Sequence, residues 1–451
     1  MVFEINNIGP EPLASLIALG STADTVEMKL YLFAFTLALY IQQKYVLTLQ
    51  SDQVLSALPR TATQVEFLQN LTTNFEVVLW QPVTAENIKK DKEVHFVVNA
   101  SIINDVKAEL KQSTIRYKVL MNNVQDLIEA QAVNDTAHPR SSVSYYEQYH
   151  SLKEINSWMD YITEQNADIL QKICIGSSYE KRPLYVLKLF KRNKTPKNAI
   201  WIDCGIHARE WIAPAFCIWL IGHAAHFRDR DQTFSRLLEH FDFYVMPVMN
   251  VDGYEYTWMS RSMEHRMWRK SRSRHANDRC IGTDMNRNFD AGWCGEGASD
   301  NSCRQTYCGP YPESEPEVRA VTSFLKAHKD NIKGYITMHS YSQMVLFPYS
   351  YTMNRSKDHD ELQLLANKAA AAIRKTSRTV YQSGPGAETI YLAPGGSDDW
   401  AYDLGIKYSF TFELRDRGQY GFLLPPHQIR PTCIEALSAV KEIASHIMIN
   451  L

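Results

Sequence analysis

Two periodicities alternate along this chain. Between residues 53 and 121, apolar runs of strand length at 53–58, 75–80, 94–98 and 115–121 are separated by stretches whose apolar residues recur at helical spacing. The first such stretch, 64–71, carries Val65, Leu68 and Leu71, and the second carries Ile103, Val106 and Leu110. A β-α-β-β-α-β order predicts a small ferredoxin-like α+β domain. A further helix is predicted from residue 124 to about 133, followed by the polar run 134–140, which suits a linker. From Ser141 onward, apolar runs at 184–189, 199–203, 243–248, 335–339 and 408–414 alternate with helical patterns at 213–223, 315–329 and 362–376. That alternation predicts one large α/β domain, a mixed sheet with helices on both faces.

The first residues follow neither pattern. Met28-Lys29, the apolar run 30–41 and then Gln42-Gln43-Lys44 have the layout of a secretory signal peptide. Residues 1–27 contain no Lys or Arg. They are expected to be an upstream extension, with 28–48 the signal peptide, removed near Thr48. The apolar run is shorter than the ~20 residues of a membrane span, which predicts a released protein with no membrane span.

Composition narrows the function classes. With 451 residues, 45% hydrophobic and 11% aromatic, the chain can bury a large core in two or three domains. A net charge of −2 argues against nucleic acid as a partner, which would call for a basic domain or stripe. Neither a phosphate-binding G-x-x-x-x-G-K loop nor a G-x-S-x-G nucleophile elbow occurs. The 8 cysteines, none before residue 174, fit an oxidising compartment. No C-x-x-C is present, so a cysteine-based zinc site has no support. Sequons at Asn70, Asn99, Asn134 and Asn354, with a poorer one at Asn193 where Pro196 follows, fit a secreted glycoprotein.

The candidate chemistry gathers at strand ends. The strand at 199–203 leads into Gly-Ile-His207-Ala-Arg-Glu210, an imidazole and a carboxylate at metal-ligand spacing. A hydrolytic Zn²⁺ site takes three nitrogen or oxygen ligands and keeps a position open, so a distant third ligand is needed. His339, where the strand at 335–339 ends, is the best candidate. Alone the pair says little, because 14 His and 50 acidic residues generate such spacings by chance. Glu413, at the end of the strand at 408–414, suits a general base on the attacking water, or else a surface carboxylate paired with Arg415. Arg266 and Arg269 could stabilise an oxyanion, and Asn286 with Arg287 could receive a carboxylate; isolated arginines are more often solvated surface groups. Asp398 and Asp399 stand before a helix starting at Trp400, and either could cap it. Ligands of α/β sheets sit beyond the carboxyl ends of strands, where His207, His339 and Glu413 all fall.

The order and spacing of His207, Glu210, Arg269, Asn286, Arg287, His339, Tyr391 and Glu413 resemble the zinc metallocarboxypeptidases of the pancreatic A/B type, from about residue 50 to the C-terminus. The resemblance implies one Zn²⁺ per chain held by His207, Glu210 and His339, with Asp284 fixing the tautomer of His207. Glu413 would then be the general base and Arg269 the oxyanion donor. Asn286, Arg287 and Tyr391 would bind the substrate's C-terminal carboxylate, with Arg266 assisting on the substrate's approach and Tyr341 a further substrate-binding residue. An internal peptide bond offers no carboxylate to that guanidinium, so the action implied is exopeptidase. Asp398 matches the pocket-bottom residue of the B-type enzymes. A buried anion is costly without a cation, so the expected substrates end in Lys or Arg. The resemblance also implies a prodomain over residues 49–140 that covers the cleft. A trypsin-like protease such as thrombin or plasmin would release it by cutting between Arg140 and Ser141, leaving a zinc carboxypeptidase domain at 141–451. Implied disulfides pair Cys204 with Cys217, Cys280 with Cys303, and Cys294 with Cys308, leaving Cys174 and Cys433 free; spacing alone does not choose among the possible pairings.

More narrowly, the segments 78–84, 144–150 and 312–317 resemble a plasma branch of the B-type zymogens. That implies trimming of partly degraded fibrin, with slower clot lysis, and also of kinins or anaphylatoxins. A digestive B-type enzyme and a non-catalytic secreted scaffold are the alternatives. One departure stands out: the stretch between Trp258 and Arg266 is several residues longer than the family pattern, directly before the oxyanion arginine.

Overall fold

A computed structural model describes residue 36 and residues 51–75, 77–132, 143–191, 197–227 and 230–451. Apart from residue 36, the expected upstream extension and signal peptide lie outside the described residues. So do the linker with its Arg140-Ser141 junction, Asn134 and Asn193.

The first sheet joins β1 (Gln53–Leu58), β2 (Val77–Gln81), β3 (Val94–Val98) and β4 (Arg116–Met121) in the antiparallel order β2-β3-β1-β4. Side chains alternate across a strand, and here the two faces serve different cores. Leu55, Phe96 and Val98 point toward the helices Ala62–Asn74 and Ile103–Gln112, where they meet Leu68, Leu71, Val106 and Leu110. Val54, Val97 and Met121 point the other way. They join Trp80 and, from the helix Val124–Gln131, Val124 and Ile128, against Met267, Tyr341, Phe422 and Leu423 of the large domain. The small domain is therefore bound to the large one by an apolar face. The expected strand at 75–80 begins later, at Val77, because Phe75 closes the preceding helix with its N–H on the Leu71 carbonyl.

The second sheet contains β5 (Leu170–Ser177), β6 (Pro183–Leu189), β7 (Asn198–Cys204), β8 (Phe241–Met246), β9 (Ile332–Ser340), β10 (Met344–Phe347), β11 (Gln382–Pro385) and β12 (Tyr408–Leu414). Its order is β11-β10-β12-β9-β7-β8-β6-β5, with the four central strands parallel and antiparallel pairings toward both edges. Helices lie on both faces. A side chain on Gly334 of β9 would meet Ile447 of the C-terminal helix Ile429–Ile449 at 2.9 Å, while the next residue, Tyr335, faces Ser397 and Asp398. The architecture is the mixed-sheet α/β domain preceded by a small α+β domain that the periodicities predict.

Parallel register brings the chemistry together. Glu413 of β12 stands opposite His339 of β9, and Asp203 of β7 stands opposite Thr337. Beyond β7 the chain turns at Gly205 with φ +67°, where a side chain would strike Pro214 at 2.9 Å. Disulfides join Cys204 to Cys217, Cys280 to Cys303 and Cys294 to Cys308, while Cys174 is exposed and Cys433 buried, both unpaired.

Away from the strand ends, Glu317 is fully buried at the start of the helix Pro316–His328, and one of its oxygens has no partner among the described residues. Burial, aided by neighbouring Glu315, pushes its carboxyl from 4.5 up to about 8. Between those values the folded chain holds a proton that the unfolded chain has released, so this contribution to stability is complete below pH 4.5 and lost as pH rises through 8. Glu317→Gln should therefore melt at a higher temperature than the parent above pH 8, with the difference fading toward pH 4.5; parallel melting profiles would contradict this.

Candidate metal centre and substrate cleft

Three buried side chains converge where β7 and β9 end. His207 Nδ1 lies 2.8 Å from Glu210 Oε1, and His339 Nδ1 lies 3.1 Å from His207 Nδ1 and 3.2 Å from Glu210 Oε2. No other described group of three or more His, Cys, Asp or Glu has ligand atoms this close, all within 4.8 Å of one another. Zinc bonds of about 2.0–2.1 Å in a tetrahedron put ligands roughly 3.3 Å apart, so the two nitrogens and one oxygen fit a hydrolytic zinc site. Burial and nearby Arg269 lower the basicity of His207, as a neutral ligand requires. Burial would raise Glu210, but His207 and His339 hold it well below the usual carboxylate range.

Asp284 organises the next layer. Its Oδ1 accepts from His207 Nε2 at 3.1 Å and from the Asn286 backbone N–H at 3.1 Å, while Oδ2 accepts from Arg269 Nη2 at 2.8 Å. With Nε2 carrying the proton, the Nδ1 lone pair of His207 faces the centre. The same carboxylate thus sets the imidazole, aims Arg269 and starts the turn Met285–Arg287. Arg269 Nη1 reaches within 3.8 Å of Glu210 Oε1.

A cleft of about 70 Å³ opens from this centre, lined among others by Asn286, Arg287, Tyr341, Tyr391, Asp398 and Glu413. Arg287 keeps Nε without a partner among the described residues. The loop bearing Tyr391 presses so closely on the Arg287 backbone that a side chain at Gly395, φ +76°, would overlap its carbonyl. Burial and the Glu210 carboxylate push Glu413 up to about 8 against the pull of His339. A dication at the triad would draw it back down.

The adjacent aspartates separate by role. Both Asp399 oxygens accept backbone N–H groups from Ser350 and Tyr351, whereas Asp398 Oδ2 is buried, unpartnered among the described residues and part of the cleft wall. Neither side chain caps the helix Ser397–Asp403.

Arg266, the residue expected to assist on the substrate's approach, is not among the residues that line the cleft in this closed form. Its guanidinium donates to Gln131 Oε1 and to the Arg209 and Phe422 carbonyls, and stacks on Trp211 at 3.8 Å. The longer stretch before it does not displace Arg269. It folds into the short helix Met263–Arg266, and the Arg261 carbonyl accepts from Gln125 of the small domain. Arg209 was not anticipated as a site residue. Buried beside Glu210, it stacks on Phe422 at 4.1 Å with Nε and Nη2 unpartnered among the described residues. Its only sequence signal is its place between two ligands.

The small domain closes the cleft. Trp80, Gln81, Pro82 and Val83 line the same cavity, the Trp80 ring lies 5.2 Å from Phe422, and His95 Nδ1 is 3.0 Å from Tyr341 Oη. A volume of about 70 Å³ is far below the ~300–1,000 Å³ of ligand pockets.

The profile "Zinc carboxypeptidase" matches residues 155–439, and "Carboxypeptidase activation peptide" matches residues 55–131. The chain belongs to the zinc carboxypeptidases. It is 63% identical to carboxypeptidase B2 of Rattus norvegicus over 94% of this chain and 100% of the relative, and 61% identical to carboxypeptidase B2 of Homo sapiens over 91% and 96%. The crystal structure of thrombin activatable fibrinolysis inhibitor is similar at TM-score 0.86 and 60% identity, covering 89% of this chain and 100% of that one. Family membership implies zinc. This carboxypeptidase is a B-type zymogen: an activation domain spanning residues 55–131 lies over the cleft of a metallopeptidase.

For this zymogen, Trp80→Ala should raise the activity of the uncleaved chain on a small substrate by about tenfold. Truncating a packed Trp costs ~3–5 kcal/mol, and even ~1.4 kcal/mol spent on opening changes its equilibrium tenfold. Assay before and after tryptic nicking checks it. Only the uncleaved form should differ; equal activity in the uncleaved forms would show that Trp80 does not hold the cleft closed.

Proposed function

We propose that the protein is a secreted zymogen whose released domain, residues 141–451, removes C-terminal Lys or Arg from peptides and proteins, with one Zn²⁺ per chain. The reading rests chiefly on a carboxylate oxygen of Asp398 that has no partner among the described residues, buried in the wall of a cleft that also presents Arg287 and Asn286. Arg287, Asn286 and Tyr391 fix the substrate's terminal carboxylate, and Asp398 accepts the cationic end of its side chain. Bound at His207, Glu210 and His339, zinc supplies Lewis acidity at the scissile carbonyl. Glu413 accepts the proton of the attacking water and passes it to the leaving amine. Arg269, held by Asp284, donates to the oxyanion.

Residues 28–48 serve as the signal peptide and 49–140 as the prodomain, with cutting between Arg140 and Ser141 by a trypsin-like protease. The sequons fit this route, and Asn70, Asn99 and Asn354 are exposed. Similarity to a thrombin activatable fibrinolysis inhibitor supports thrombin or plasmin as activator and partly degraded fibrin as substrate, with slower fibrinolysis as the result. Kinins and anaphylatoxins present the same basic terminus.

The test is release of Arg from hippuryl-Arg before and after cleavage at Arg140. Activity should rise sharply on cleavage, vanish with a zinc chelator and return with added zinc. Chelator-resistant release would remove the metal from the account, and no release from the cleaved chain would remove the enzyme.

A further inference from the structure

His207 Nε2 has its partner in Asp284, but among the described residues no carboxylate reaches Nε2 of His339. The group facing its Nε2 is the Thr337 hydroxyl at 3.3 Å, and that hydroxyl donates to Asp203 Oδ1 at 2.6 Å. The other Asp203 oxygen accepts from Trp201 Nε1 at 2.8 Å. Asp203 and Thr337 are fully buried and His339 nearly so. Sheet geometry produces the chain of contacts: Thr337 and His339 share one face of β9, and Asp203 is the register partner of Thr337 on β7.

A threonine hydroxyl has one proton. Committed to the Asp203 carboxylate, it can offer His339 only a lone pair, so Nε2 must carry hydrogen and Nδ1 keeps its lone pair for the metal centre. In the reverse polarity, with a proton on Asp203, the hydroxyl would donate to Nε2 and leave Nδ1 protonated, unable to ligate. Burial raises the Asp203 carboxyl above its ordinary value, while hydrogen bonds from Thr337, Tyr335 and Trp201 and the charge of His339 pull it back toward the ionised form. We infer that Asp203, acting through Thr337, is a positioning residue for zinc that fixes the tautomer of His339 as Asp284 fixes that of His207. The two imidazoles thus receive the same proton arrangement from two carboxylates, one direct and one relayed.

This inference rests on the zinc reading proposed above. Its test uses the full chain and zinc affinity, measured by competition with a chelator, in the parent, Thr337→Val and Thr337→Ser. Loss of a partner behind a metal ligand typically weakens affinity ~10–100-fold, and Thr337→Val, nearly the same shape, should show such a loss while the metal-free proteins melt alike. Thr337→Ser keeps the hydroxyl and should bind like the parent. A folded Thr337→Val with parental affinity overturns the relay. A parent that binds no zinc overturns the metal reading instead. Should Thr337→Val fail to fold, proton NMR of the zinc-loaded parent decides: a slowly exchanging Hε2 resonance from His339 supports the relay, and its absence overturns it.

Discussion

Glu413→Gln is expected to lower kcat on a C-terminal Arg substrate by ~10²–10⁴-fold, the usual contribution of general acid–base catalysis, with little change in KM. The amide has the shape of the carboxylate and cannot accept a proton. Glu413 is partly exposed at the cleft and stands opposite His339 in the sheet, one strand from the metal triad. Its side chain is not one of the triad's ligands, so zinc content should be unchanged. That combination separates a base from a structural residue. If Glu413→Gln instead lost zinc, or kept parental kcat, the proton acceptor would have to be sought elsewhere in the cleft.

Asp398→Asn should change selectivity as strongly. Truncating one partner of a buried charge pair costs about 2–5 kcal/mol, which at 1.36 kcal/mol per tenfold is ~30- to ~5,000-fold in kcat/KM for a basic terminus. In the uncleaved chain Asp398 Oδ2 already lacks a partner among the described residues, and burial raises its proton affinity. The parent therefore carries an unfavourable group that only a cationic substrate relieves. Without it, apolar termini should gain relative to Lys and Arg, since the carboxylate no longer penalises them. Asp399→Asn is the informative control. Asp399 holds the Ser350 and Tyr351 backbone, so its loss should reduce stability and leave the preference between basic and apolar substrates in place. A shift in preference from Asp399→Asn and none from Asp398→Asn would reverse the assignment.

The strands that carry the chemistry are readable because apolar residues recur through them, as the run Ala-Ile-Trp-Ile in β7 and as alternate positions in β12. β12 coincides with the predicted 408–414, and β9 extends the predicted 335–339 at both ends. β11 is different. Gln-Ser-Gly-Pro has no strand pattern of its own and becomes a strand by pairing with β10. The C-terminal helix Ile429–Ile449 is buried around so much of its circumference that apolar periodicity blurs. In the small domain the helical and strand periods are clean, and the predicted order matches the sheet.

Within the site, spacing suggests the residue types but not where each side chain points. Arg266 and Arg269 are chemically the same in sequence. The short helix Met263–Arg266 leaves the first beneath Phe422, and Asp284 draws the second to the metal centre. Asp398 and Asp399 are neighbours, and only the position of the Ser350–Tyr351 backbone tells them apart. Thr337 precedes His339 by one strand repeat, a placement common in any sheet; its significance appears only once β7 brings Asp203 beside it.

The central claim is that His207, Glu210 and His339 share a zinc ion. An anomalous-difference map from crystals of the purified protein, collected on both sides of the zinc absorption edge, tests it directly. One peak at roughly 2.0–2.2 Å from His207 Nδ1, a Glu210 oxygen and His339 Nδ1 is the predicted result. A map with no peak there, from protein that is active on a C-terminal Arg substrate, would contradict it.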